Sequence, residues 1–148
     1  MRRSFIFCYF AFFATIMAFA QTFQIENISI GQPWARFMPS TSRNGAIYLS
    51  LTNHGQNADR LVSVSSPHAK RVEIHTHIHD KGVMRMRHLE HGIPLAPGQT
   101  VQLSPGELHL MVLGTDRSYS LGEHLPIVLH FEKAGERRVN AIVQNQVK

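Results

Sequence analysis

The chain has 148 residues, 43% of them hydrophobic and 17% charged, with 15 Lys and Arg against 10 Asp and Glu for a formal charge of +5. That length suits one domain with a real core. The basic residues are scattered and not interleaved with aromatics, which argues against a nucleic-acid partner, and the lone Cys8 excludes a disulfide framework.

Residues 1–20 read as a secretory signal peptide. Arg2 and Arg3 precede an apolar, Phe-rich run from Ser4 to Ala20, and Ala18-Phe19-Ala20 before Gln21 is an A-x-A cleavage pattern. The run is short for a membrane span. Cys8 sits inside it with no Leu-Ala-Gly before it, so lipid attachment is not expected. The expectation is export, cleavage of the Ala20–Gln21 bond, and a soluble periplasmic domain of residues 21–148 with no membrane insertion. Cleavage would leave no cysteine. That rules out a thiol nucleophile, a thiolate metal site and a blue-copper centre, which needs a Cys ligand.

The remaining chain reads as strands separated by turns. Phe23–Ile30 is a first strand, and Gln32–Phe37 is extended, with Trp34, the single Trp, expected as a core anchor. Met38–Gly45 is a loop rich in turn residues. Gly45–Thr52 and Arg60–Ser65 are strands on either side of a polar turn. Arg71–His79 and Val83–Arg87 form a hairpin closed at Asp80-Lys81-Gly82. Turns at 94–98 and 104–106 flank a short strand, Thr100–Leu103. Glu107–Leu113, Leu125–Phe131 and Arg137–Val143 complete the series. Short strands at this spacing, without a convincing amphipathic helix, predict a single all-β domain, a sandwich or barrel.

Chemistry concentrates between His75 and Met111, which holds six of the ten histidines and three of the six methionines. Side chains two apart on a strand share a face. His75, His77 and His79 therefore share one face, Met84 and Met86 another, and His109 and Met111 a third. Any one Met on a strand is usually core filler. The coincidence of His-x-Met on one strand and Met-x-Met on another is harder to attribute to packing. Thioether sulfur is a soft neutral donor suited to Cu(I), and imidazole accepts either oxidation state of copper. Such a site holds Cu(I) less tightly than a thiolate cage, which suits a carrier. No G-x-S-x-G, phosphate-binding Gly loop or H-E-x-x-H occurs. Asp80, Glu90 and Glu107 read as solvated charges.

Pro33-Trp-Ala-Arg36, Gly45-Ala-Ile-Tyr-Leu49, Arg71-Val-Glu-Ile-His75, Gly82-Val-Met-Arg-Met-Arg87, Leu108-His-Leu-Met111 and Phe131-Glu-Lys-Ala-Gly135 resemble the periplasmic copper chaperones of the PCu(A)C family. The resemblance runs from about Ile28 to Val143. It implies a cupredoxin-like or immunoglobulin-like antiparallel β-fold and one Cu(I) ion on a surface site of two His and two Met: His75, Met86, His109 and Met111. It also implies transfer of copper, directly or through a thiol copper chaperone, to the copper centre of cytochrome c oxidase. The family often carries Met two residues after the first His, where this chain has His77. A His/Met-rich C-terminal extension, found in some members, is not expected here.

The reading is thus a monomeric, non-enzymatic copper carrier. The alternatives are a copper or zinc enzyme with an open coordination position, which would need a water-activating carboxylate, and a metal-free β-sandwich that binds a protein partner. A two-residue turn at Asp80-Lys81 predicts His75 opposite Met86 and His77 opposite Met84. In that register His77, His79 and Met84 are accessory donors beside the Cu(I) ligands. Three imidazoles in a row favour a weaker Cu(II) site, sharing His75 or using His77 and His79 alone. The competing expectation is that His77 and His79 are simply solvated.

Overall fold

The computed structural model describes residues 27–36 and 41–145. The expectations for residues 1–20, for the start of the first strand and for part of the 38–45 loop lie outside the described residues. Ten strands run in chain order: β1 (Ile28–Arg36), β2 (Asn44–Asn53), β3 (Asp59–Ser65), β4 (Ala69–Asp80), β5 (Val83–His88), β6 (Ile93–Leu95), β7 (Thr100–Gln102), β8 (His109–Thr115), β9 (His124–Phe131) and β10 (Gly135–Gln144). None of the described residues is helical, as the sequence predicts. The Pro94 turn contains a short strand, β6, which pairs with β3.

The sheet closes on itself. Its order is β5-β4-β8-β2-β1-β10-β9-β3-β6, and an additional β3–β4 pairing at Val64↔Val72 joins the two ends into a barrel of seven strands. β5, β6 and β7 hang from this ring on β4, β3 and β2. Closure removes most free strand edges and leaves alternate residues inside. Ile47, Leu49, Leu51, Leu61, Leu110, Val112, Leu125, Ile127 and Leu129 fill the interior, each essentially without exposure. Burying a side chain of this size contributes about 1.5–3 kcal/mol.

Two local devices set the register near the site. β1 carries a bulge between Gly31 and Trp34, where Gln32 takes a φ of 34°. An extra residue there re-aims the rest of the strand and brings Trp34 opposite Tyr48. The β4–β5 hairpin turns through Lys81 (φ 49°) and Gly82 (φ 80°), with Asp80 paired to Val83. Two successive positive φ values define a type I′ turn, whose twist suits a two-residue hairpin.

That turn corrects the predicted register. His75 pairs with His88, His77 with Met86 and His79 with Met84; the expected His75–Met86 and His77–Met84 pairs do not form. The reason is that Gly82 tolerates the second left-handed position, so the turn occupies Lys81-Gly82, one residue later than expected. The shift of pairing by two preserves parity, and His and Met still share one face.

Candidate metal-binding face

β4 is divided along its length. Residues through His75 pair with β8, ending at His75↔His109, whereas residues from His75 onward pair with β5. His75 is therefore the pivot between barrel wall and projecting hairpin. Val72 and Ile74 face the core, which turns Glu73, His75 and His77 outward.

A line of rings crosses this outer face over five strands: Trp34 on β1, Tyr48 on β2, His109 on β8, His75 on β4 and His88 on β5. Successive centroids lie 4.5, 6.4, 5.8 and 5.6 Å apart. Trp34 is not the core anchor the sequence suggested. It is half-buried and packs on Tyr48, which is 4% exposed. Burial raises the Tyr48 phenol above its ordinary value, with Arg36 pulling the other way. The aromatic pair thus makes an apolar floor beside His109.

His109 is itself 4% exposed. Its Nδ1 lies 2.9 Å from the Glu107 carbonyl. A carbonyl only accepts, so Nδ1 carries the proton and Nε2 holds the lone pair in the neutral ring. Burial holds the His109 pKa below its ordinary value. The Glu107 carbonyl opposes that shift, and the charges of His77 and His75 add to it. Neutral imidazole is the form that binds metal.

His75 has the opposite polarity. Its Nε2 lies 2.8 Å from Glu73 Oε2, and Arg71 Nε holds the other carboxylate oxygen at 2.8 Å. The hydrogen bond from His75, ahead of the cost of burial and the Arg71 charge, keeps the Glu73 carboxyl below its ordinary value. Nε2 therefore donates, and Nδ1 is left buried without a hydrogen-bond partner. A histidine held by a carboxylate on one nitrogen with a free lone pair on the other is the usual second-sphere arrangement of a metal ligand.

The thioethers flank this pair. Met111 lies opposite Glu73, and Met86 opposite His77. Met84 and Met86 are about half exposed, at 48% and 54%. Both sit on β5, which among the described residues pairs only with β4. His79 is exposed opposite Met84. Of the predicted ligands, the structure brings His75 and His109 together directly and sets Met86 and Met111 on diagonal positions beside them. Diagonal neighbours on a sheet are within reach of long side chains. Among the described residues no three His, Cys, Asp or Glu side chains are grouped so as to hold a metal ion. Sequence reasoning missed Glu73 and His88. Both were legible by parity, since Glu73 alternates with His75 and His88 with Met84 and Met86.

The fold and this face define a PCuAC-like β-barrel domain. The copper-bound PCuAC domain from PmoF2 superposes with a TM-score of 0.67 at 26% identity, over 81% of this chain and 94% of that one. The apo PCuAC domain from PmoF1 gives 0.68 at 25% identity, over 81% and 95%. The chain belongs to the LpqE-like lipoprotein family, whose model matches residues 28–143. It is 29% identical over 117 residues to protein RP573 of Rickettsia prowazekii, covering 77% of this chain but 65% of the length of that relative.

Proposed function

We propose that this protein is a copper carrier that binds one Cu(I) ion through His75, Met86, His109 and Met111 and hands it on, with no turnover of its own. The observation that carries the reading is the orphaned His75 Nδ1, buried and unpartnered while Glu73 fixes the other nitrogen. A buried lone pair without a partner costs about 1–3 kcal/mol, a cost that a metal ion would offset. His109 Nε2 supplies a second nitrogen. Two imidazoles bound to one ion by bonds of about 2 Å place their centroids within roughly 6 Å, and His75 and His109 stand at 5.8 Å. The thioethers suit Cu(I). The copper-bound state of the PmoF2 domain supports the choice of metal.

The compartment and acceptor belong to the same proposal. The lipoprotein family and the signal-like residues 1–20 support export to the periplasm. The acceptor is a copper-accepting protein, either a cytochrome c oxidase subunit or a thiol copper chaperone, and the carrier acts as a monomer. The imidazole row offers Cu(II) a weaker site. A Cu(II) paramagnetic signal unaltered in a His77→Ala, His79→Ala double variant would remove it.

Titration of the purified protein with Cu(I), followed by X-ray absorption, tests the central reading. The expected result is one ion per chain with mixed nitrogen and sulfur ligands. Absence of bound copper, or an unchanged affinity after joint Met86→Leu and Met111→Leu substitution, would sink it.

A further inference from the structure

One imidazole on this face has a geometry that the four-ligand set leaves unused. His77 Nδ1 lies 3.2 Å from the Glu107 carbonyl, the same oxygen that takes His109 Nδ1 at 2.9 Å. Because a carbonyl only accepts, both Nδ1 atoms carry protons, and both Nε2 atoms present lone pairs when the rings are neutral. Backbone carbonyls fix metal-binding histidines in this way. The two rings are 5.2 Å apart and tilted by only 30°, closer than His75 is to His109 at 5.8 Å. Met86 is the register partner of His77, which places its thioether beside that ring, with Cβ atoms roughly 4.5–5.5 Å apart. Glu107 precedes β8, so a single oxygen ties the projecting β4–β5 hairpin to the start of that strand.

We infer that His77 is itself a Cu(I) ligand, binding through Nε2 together with His109 Nε2 and Met86. The inference rests on the copper-carrying reading and refines its donor set. His75 and His77 flank the shared partner His109 on one side each. The ion therefore has an inner arrangement that uses the buried His75 Nδ1 and an outer one that uses His77, and it passes between them by exchanging one imidazole. Met86 and the half-exposed His77 lie on the projecting arm, where an acceptor's donors have access to the ion.

The test compares Cu(I) affinity of the wild type, His77→Ala and His77→Met by chelator competition, with amide spectra reporting the fold. The nitrogen resonances of the imidazoles are followed in the wild type on Cu(I) loading. We expect His77→Ala to weaken binding about twofold or more, since the inner arrangement through His75 remains, and His77→Met to retain binding with one more sulfur ligand. We also expect the His77 Nε2 resonance to move while Nδ1 stays protonated. If the wild type binds copper and a folded His77→Ala binds it with unchanged affinity, the inference is overturned while the copper reading stands. If the wild type binds none, the copper reading itself fails, and this inference with it. Should His77→Ala not fold, the wild-type spectra decide, and an unmoved His77 Nε2 resonance overturns the inference.

Discussion

Glu73 illustrates how a residue outside the ligand set shapes it. Its carboxylate bridges Arg71 and His75, at 2.8 Å to each, and so decides which His75 nitrogen keeps its lone pair. Removing such a partner typically lowers metal affinity about 10–100-fold. Glu73→Ala is expected to weaken Cu(I) binding by that factor. Glu73→Gln, which keeps an oxygen to accept the Nε2 proton, should lose less; chelator competition measures both. If the two variants bound copper as the wild type does, Glu73 would have no part in positioning His75. The ligand types and their alternation were legible in the sequence because strand parity is local. Parity puts Glu73 on the face of His75 but says no more than that. Its hydrogen bond to His75 depends on side-chain geometry that alternation does not encode. Trp34 misled for a related reason: a large apolar ring suggests the core, yet the β1 bulge turns it onto Tyr48.

The hairpin of β4 and β5 carries the thioethers, and its register is an element-scale property. Parity was readable from the sequence, but the turn position was not. The sequence suggested a two-residue loop at Asp80-Lys81, and the left-handed φ at both Lys81 and Gly82 puts it one residue later. A Cβ on Gly82 would meet nothing within 4 Å, so substitution there costs conformational energy alone. Gly82→Ala is expected to loosen the hairpin by about 1–2 kcal/mol. Lys81→Asn should tighten it, since Asn-Gly is the favoured type I′ pair. Amide hydrogen exchange across residues 83–88 reads both, with faster exchange in the first and slower in the second. Equal exchange in all three proteins would show that the turn does not limit opening of the arm.

At the scale of the whole molecule, the all-β class and the choice of sandwich or barrel were legible, but the strand pairings that decide for the barrel were not. The parallel β1–β10 pairing joins segments far apart in the chain, and periodicity carries no record of such partners; the Val64↔Val72 contact then closes the ring between consecutive strands. The 116–123 segment packs Tyr119 against the barrel end, with that ring 1% exposed and Arg117 4.2 Å above it. Backbone bonds between this segment and Val143 fasten it to β10. Two carboxylates hold the segment's shape. Asp116 accepts from His68 at 2.7 Å, which keeps its pKa below the ordinary 3.8. Glu123 accepts from the Ser120 amide and from Arg117, which keeps its pKa below the ordinary 4.5. Glu73 is lowered in the same sense. For each group the folded state binds its proton less readily than the unfolded chain. The stabilisation is therefore fully present above the unfolded values and is lost as pH falls through the folded ones. Between pH 7 and about 5 these carboxylates stay ionised and add no change to the thermal midpoint of the copper-free protein. The decline in that range comes from His109, whose lowered pKa lets the unfolded chain bind its proton first. At more acid pH the carboxylates lower the midpoint. Asp116→Asn with Glu123→Gln should lower the midpoint at pH 7 and flatten the acid decline. If the acid decline were equally steep in the double variant, these two carboxylates would not be its source.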